Sequence, residues 1–258
     1  MRRVGLLGAV LVFAACRGTL SPLSNRIKVG QEPFLVVVAD GEDGLGDLFA
    51  SSTGGGMAWQ LTFTRVDERL PALSRDGISL AFVRSRAPGD TTGVHISVMN
   101  LLNGAERQLE LPAGMRADEL AWSADGSRFY ARSETLLLES AAPPARTGFA
   151  PVAAVGRAAA ESAFVVLPGT PPTVAVERCA DGDGLCVRLG GGGVVPLAAG
   201  GSGPLRWSGD SVAYQDGGVF VVRPLSGGRT RTLTWDPPLQ HPRQATMYAG
   251  SGVRDGPS

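Results

Sequence analysis

The chain has 258 residues, 43% of them hydrophobic, with 24 basic and 24 acidic side chains and two histidines. That is enough apolar sequence to core one full domain, and a formal charge of zero, falling to −2 once Arg2 and Arg3 leave with a signal segment, excludes an electrostatic nucleic-acid binder. Lys28 is the sole lysine, and the arginines are dispersed among Asp and Glu, which reads as the codon usage of a GC-rich genome rather than a binding patch.

Met1–Cys16 opens with Arg2 and Arg3, continues as an apolar run from Val4 to Phe13 and ends in Ala14-Ala15-Cys16. The run is too short to span a bilayer as a permanent helix, so it reads as a targeting segment. Small residues directly before a cysteine resemble the bacterial lipobox, which implies a signal peptide over residues 1–15 and acylation, as by palmitate, of Cys16. An ordinary secretory signal is the plainer alternative. Arg17 rather than Asp after the cysteine resembles the outer-membrane sorting signal of enteric bacteria. Residues 16–33 are polar and aperiodic, with Pro22, Gly30 and Pro33, and are expected to form a lipidated tether.

Residues 34–249 read as all β, with a flexible tail at 250–258. Phe34–Ala39, a segment near Leu48 and Trp59–Phe63 form three strands with no hairpin before them. A second group takes Leu70–Ser74, Ile78–Arg84, Val94–Asn100 and Arg107–Leu111, and a third takes Glu119–Ser123, Arg128–Arg132, Thr135–Glu139 and Arg146–Phe149. A worn copy is expected at Pro151–Leu167, where Ala163–Leu167 suits a strand, followed by Thr173–Arg178, Leu185–Leu189 and Val194–Leu197. Leu205–Ser208, Ser211–Gln215, Val219–Arg223 and Thr230–Trp235 make a fifth group, and Arg243–Tyr248 is a last strand.

These groups repeat. Leu70–Arg84, Glu119–Arg132 and Pro204–Gln215 each run an apolar strand into Ser, turn through Asp, and leave as a second apolar strand, a β-hairpin signature. The serines at 74, 123 and 208 are separated by 49 and 85 residues, one period and about two. Such a unit cannot cover both its faces alone, and a ring supplies a neighbour on each side without leaving long free edges. The fold expected is therefore a β-propeller of four-stranded blades, five in number, with six as the alternative, closed by pairing of the C-terminal strand with the first group.

The motif residues Pro71, Ser74, Asp76 and Gly77, then Trp122, Ser123, Asp125 and Gly126, then Trp207, Ser208 and Asp210 resemble the repeat of TolB-type, WD40-like propellers. The Leu-Thr strand endings at Leu61-Thr62 and Leu233-Thr234 extend the resemblance over most of residues 34–249, with Leu73 where the repeat has Trp and one residue fewer in the third turn. It implies a non-catalytic module of the cell envelope that binds an envelope lipoprotein. It leaves no room for the additional amino-terminal domain of TolB.

Candidate chemistry is sparse. Cys179 and Cys186 flank a six-residue loop between two strands and are expected to pair as a hairpin disulfide, the alternative being two reduced thiols. Asp181 and Asp183 in that loop, and Asp40, Glu42, Asp43 and Asp47 in an earlier one, lack the further oxygen ligands of a calcium motif and read as solvated tips. His95 and His241 have no Cys or Glu at metal-ligand spacing, and His95 reads as an exposed strand position. Trp122 and Trp207 begin strands at the same phase and are expected to pack between blades. No catalytic residue, metal or cofactor is expected. A propeller enzyme or carbohydrate binder using Asp181, Asp183 or Asp216 at the channel mouth is the alternative function, and a structural relic is a third.

Overall fold

The computed structural model describes residues 21–86, 88, 94–123, 125–133, 136–142, 144, 148–154, 174–179, 185–189, 194–198, 202–208, 211–216, 219–224, 229–248 and 250. The expected signal peptide, Cys16, the strand at Ala163–Leu167, Asp181, Asp183 and Asp210 lie outside them.

Among the described residues every regular element is a β-strand. The chain forms β1 (Phe34–Asp40), β2 (Gly46–Ser52) and β3 (Ala58–Gln60), then β4 (Asp67–Leu73), β5 (Ser79–Ser85), β6 (His95–Asn100) and β7 (Glu106–Leu109). Next come β8 (Glu119–Trp122), β9 (Arg128–Ser133), β10 (Leu136–Ala141) and β11 (Ala150–Ala154), then β12 (Val174–Arg178), β13 (Leu185–Leu189) and β14 (Val194–Ala198). The last are β15 (Ser202–Ser208), β16 (Ser211–Asp216), β17 (Val219–Pro224), β18 (Arg231–Leu233) and β19 (Gln240–Tyr248). Among the described residues these make five antiparallel sheets, four of four strands and one, β12-β13-β14, of three. The sheet order β19-β1-β2-β3 places the last strand beside the first, with Phe34 opposite Tyr248 and Val38 opposite Gln244.

Burial explains why the sheets stack. Phe34, Val36 and Val38 on one face of β1 join a core with Leu80, Phe82, Met99 and Leu101 of the second sheet. Leu35 and Val37 on the other face join Phe220, Val222, Leu233 and Trp235 from the last sheet. β5 divides in the same way: Leu80 and Phe82 enter the first core, whereas Ala81 and Val83 pack with Leu120, Phe129, Ala131 and Leu138 of the third sheet. A strand buried on both faces must be apolar almost throughout, which is why FLVVVA runs without polar alternation. Each such side chain contributes about 1.5–3 kcal/mol by burial. Along the inner edges, β19 packs against β15 and β4, and β4 against β8.

Two expectations change. Residues 21–33 form no free tether: Leu23 is fully buried and Ile27 nearly so, both in the core between the first two sheets. The Ser21 hydroxyl donates to Leu101 O at 2.7 Å and the Tyr248 hydroxyl to Gly30 O at 2.9 Å. The segment's average polarity hides two apolar anchors one helical turn apart in sequence. The fourth strand of the third sheet lies at Ala150–Ala154 rather than Arg146–Phe149, because Phe149 turns into the core beside Phe129, ring centroids 5.8 Å apart. Pro151 is tolerated there because β11 is an edge strand.

Deleting residues 240–258 removes the partner of β1 and uncovers one face of two cores. The expected result is loss of cooperative unfolding in a circular-dichroism melt; a melting temperature unchanged from the full chain would show that β19 is dispensable.

Candidate functional site

The sheets have two ends. At one, β4 turns into β5 and β8 into β9; at the other lie the end of β1 and the starts of β2, β4 and β19. We call these the hairpin end and the mouth.

At the hairpin end the repeated motif is a turn device. Ser74 N–H donates to Ser79 O at 2.8 Å, and the Ser74 hydroxyl accepts Ser79 N–H at 2.9 Å while donating to Asp76 Oδ1 at 2.5 Å. Asp76 Oδ1 also accepts Ile78 N–H at 3.0 Å. The second copy repeats each bond: Ser123 N–H to Arg128 O at 3.0 Å, Arg128 N–H to the Ser123 hydroxyl at 2.9 Å, and that hydroxyl to Asp125 Oδ1 at 2.6 Å. The Ser123 hydroxyl, with the N–H and hydroxyl of Ser127, pulls the Asp125 carboxyl down to about 2. Gly77 and Gly126 sit at φ of 68° and 73°, the left-handed region that glycine allows, and a Cβ on Gly77 would stand 2.7 Å from the Tyr248 ring. Trp122 Nε1 donates to Ala72 O at 3.0 Å across the second and third sheets, so this tryptophan does pack between sheets, its ring 4.7 Å from Phe129. Pro71 is buried at an irregularity in the edge strand β4, where no ladder N–H is needed. Trp207 and Ser208 lie on β15.

A cleft of about 640 Å³ opens between the two turns, bordered by Ser74, Asp76, Trp122, Asp125, Tyr248 and Gly30. Its two carboxylates are engaged by their own turns, which suits a structural role.

The mouth holds the denser set of charges. Asp40 accepts from Arg243 Nη1 at 2.6 Å and pairs with His241 Nδ1 at 2.8 Å; Arg243 Nη2 also stands 3.6 Å from Asp67. Asp67 accepts Gly46 N–H at 3.1 Å. Asp47 and Glu68, only 4% and 0% exposed, lie within electrostatic reach of each other. Gln60 Nε2 donates to Asp47 Oδ2 at 2.8 Å, and Arg84 Nε to Glu68 Oε1 at 2.7 Å. Among the described residues the other oxygen of each carboxyl is buried without a hydrogen-bond partner. Burial, then the neighbouring Glu68 and Asp43, pushes Asp47 up to about 6, and burial likewise raises Glu68 against the pull of Thr62 and Arg84.

Asp47 is therefore not the solvated loop residue expected, because β2 begins one residue earlier and turns it inward. Glu68 was missed, although Glu68 opposite Arg84 and Glu119 opposite Arg132 are a second repeated device, an ion pair across the first hairpin of each sheet. His95 is half-buried at the start of β6 with Nε2 enclosed, since the sheet is covered on that side too. Among the described residues no three His, Cys, Asp or Glu are grouped to hold a metal ion. Cys179 and Cys186 are joined, Cα atoms 5.0 Å apart, and Asp216 ends β16.

Just beside the buried pair stands Phe63, 78% exposed. The loop that carries it is pinned on both sides: the Thr62 hydroxyl accepts Leu48 N–H at 2.9 Å, and the Thr64 hydroxyl donates to Glu68 at 3.0 Å.

No protein-family model matches the sequence, and no curated protein matches it significantly. Among solved structures, TolB from Acinetobacter baumannii matches with a TM-score of 0.56 at 14% identity, over 84% of this chain and 66% of that one. The fold is that of a TolB-like β-propeller. The putative TolB from Agrobacterium tumefaciens (TM-score 0.38, 14% identity, 83% of this chain and 70% of that one) and a nidogen/laminin complex (0.44, 12%, 83% and 80%) match less well. The chain spans just under two thirds of the length of the Acinetobacter TolB, 66%. In this TolB-like propeller the four-stranded sheets are the blades, and the Ser-x-Asp turns are their first hairpins.

The raised Asp47 carboxyl has a definite sign. The folded state holds a proton that the unfolded chain, at the ordinary value of 3.8, has released, so this residue's contribution to stability falls as pH rises from about 4 to about 6 and stays low above that. Asp47→Asn should stabilise the protein at pH 8 by up to about 3 kcal/mol and have no effect near pH 4. Urea denaturation at the two pH values tests this; equal shifts at both would refute it.

Proposed function

We propose that the protein is a five-bladed propeller, closed by β19 and anchored in the bacterial cell envelope through an acylated Cys16, that binds another envelope protein at its mouth without catalysis. The observation that carries the binding site is Phe63. A large aromatic side chain held in solvent by a loop fixed on both sides loses little entropy on contact, the property of an interface anchor. Around it the exposed Glu42 and Asp43, the exposed Arg65 and the paired Asp40, Arg243 and His241 offer a charged rim.

The export signal and the disulfide fit an oxidising compartment outside the cytoplasm. The reading is non-catalytic because the carboxyl groups with raised proton affinity are closed off from solvent, which denies a substrate access to them. The TolB-like fold supports the same reading, an envelope lipoprotein being the kind of partner the resemblance implies, in an outer-membrane or surface location.

The test is a pull-down from detergent-solubilised envelope with the acylated chain as bait, beside Cys16→Ser and Phe63→Ala. One stoichiometric envelope protein is expected, with recovery falling by about tenfold or more for Phe63→Ala if the aromatic is an anchor worth about 2 kcal/mol. Full recovery with Phe63→Ala would move the site elsewhere on the ring. Cys16→Ser should leave the membrane fraction; unchanged membrane association would overturn the anchor.

A further inference from the structure

The docked segment at residues 21–33 determines where an acylated Cys16 would meet the protein. Ser21 is bonded to Leu101 O, and Leu23 and Ile27 are buried beneath it. Leu101 belongs to the turn between β6 and β7, and its N–H donates to Ile78 O at 2.8 Å, so the turn lies at the hairpin end. The turn is itself held: Asn100 Oδ1 accepts Leu102 N–H and Asn103 Oδ1 accepts Ala105 N–H, both at 2.9 Å. Leu102 nevertheless projects outward, 51% exposed, and Met57, 59% exposed, lies at the same end before β3. Arg26 is exposed on the docked segment, and Lys28, also exposed, pairs with Glu32 at 3.3 Å.

Five peptide steps separate Cys16 from Ser21, a reach of about 18 Å at most when fully extended. β1 alone carries the chain about 20 Å from the hairpin end to the mouth. The bilayer therefore meets the corner at Leu102 before any part of the mouth. The exposed acids Glu42 and Asp43, only partly offset by Arg65, further disfavour the mouth against anionic lipid.

We propose that the hairpin-end corner formed by the Leu101–Ala105 turn and residues 21–28 is a lipid-contacting surface, which holds the mouth and Phe63 away from the bilayer. This rests on acylation of Cys16. Leu102 and Met57 enter the interfacial zone, Arg26 of the docked segment faces the headgroups, and the mouth stays open to a protein approaching from the aqueous side.

The experiment uses the acylated full chain in phosphatidylethanolamine and phosphatidylglycerol vesicles, with an environment-sensitive fluorophore attached at Leu102→Cys or, separately, at Glu42→Cys. Nitroxide-bearing lipid should remove most of the emission from the Leu102→Cys site and little from the Glu42→Cys site, with aqueous iodide giving the reverse order. Inserting a flexible run of about ten residues after Gly18 should abolish that difference. Equal quenching at both sites in a chain whose amino-terminal peptide carries acyl mass would overturn the orientation alone. An amino-terminal peptide without acyl mass would remove the anchoring reading and the orientation with it.

Discussion

The structure depends on central strands that are buried on both faces. In β1, odd and even side chains enter different cores, Phe34, Val36 and Val38 toward the second sheet and Leu35 and Val37 toward the last. β5 does the same between the first and third sheets. A sheet built this way has no solvent face to fall back on, so it is stable only with a neighbour on each side, and the cores join the last sheet to the first, the first to the second and the second to the third.

The polar devices follow from that stacking. Turns at the hairpin end must reverse the chain without reaching into the neighbouring core, and the Ser-x-Asp-Gly sequence does so by satisfying its own backbone groups. At the mouth, Glu68 and Glu119 start inner strands where full burial would leave a carboxylate unpaired, and an arginine directly across each hairpin answers it. Asp47 has the Gln60 amide, not a cation, for a side-chain partner. Its proton affinity rises accordingly, and glycine is required beside it, since a Cβ on Gly41 would stand 2.2 Å from its oxygen.

The two ends therefore differ in kind. The hairpin end is self-satisfied and carries the docked amino-terminal segment, while the mouth combines charge, two half-satisfied carboxyls and an aromatic anchored in solvent. The proposed binding at the mouth and the proposed anchoring at the hairpin end are compatible because they occupy opposite ends of the same strands.

The sequence by itself determined most of the described strands, their grouping into sheets and the return of β19 to β1, because these depend on local apolar runs and on a repeated turn whose hydrogen bonds close within six residues. It also placed Trp122 at a packing position, since the repeat phase carries that information. What only the tertiary structure decided is which polar residues are buried and which apolar ones are not. Asp47 and Asp43 look alike in an acidic loop, and Leu23 and Phe63 look like isolated apolar residues in polar surroundings. Their opposite fates depend on what a neighbouring sheet covers, a contact made across long sequence separations that no local pattern records.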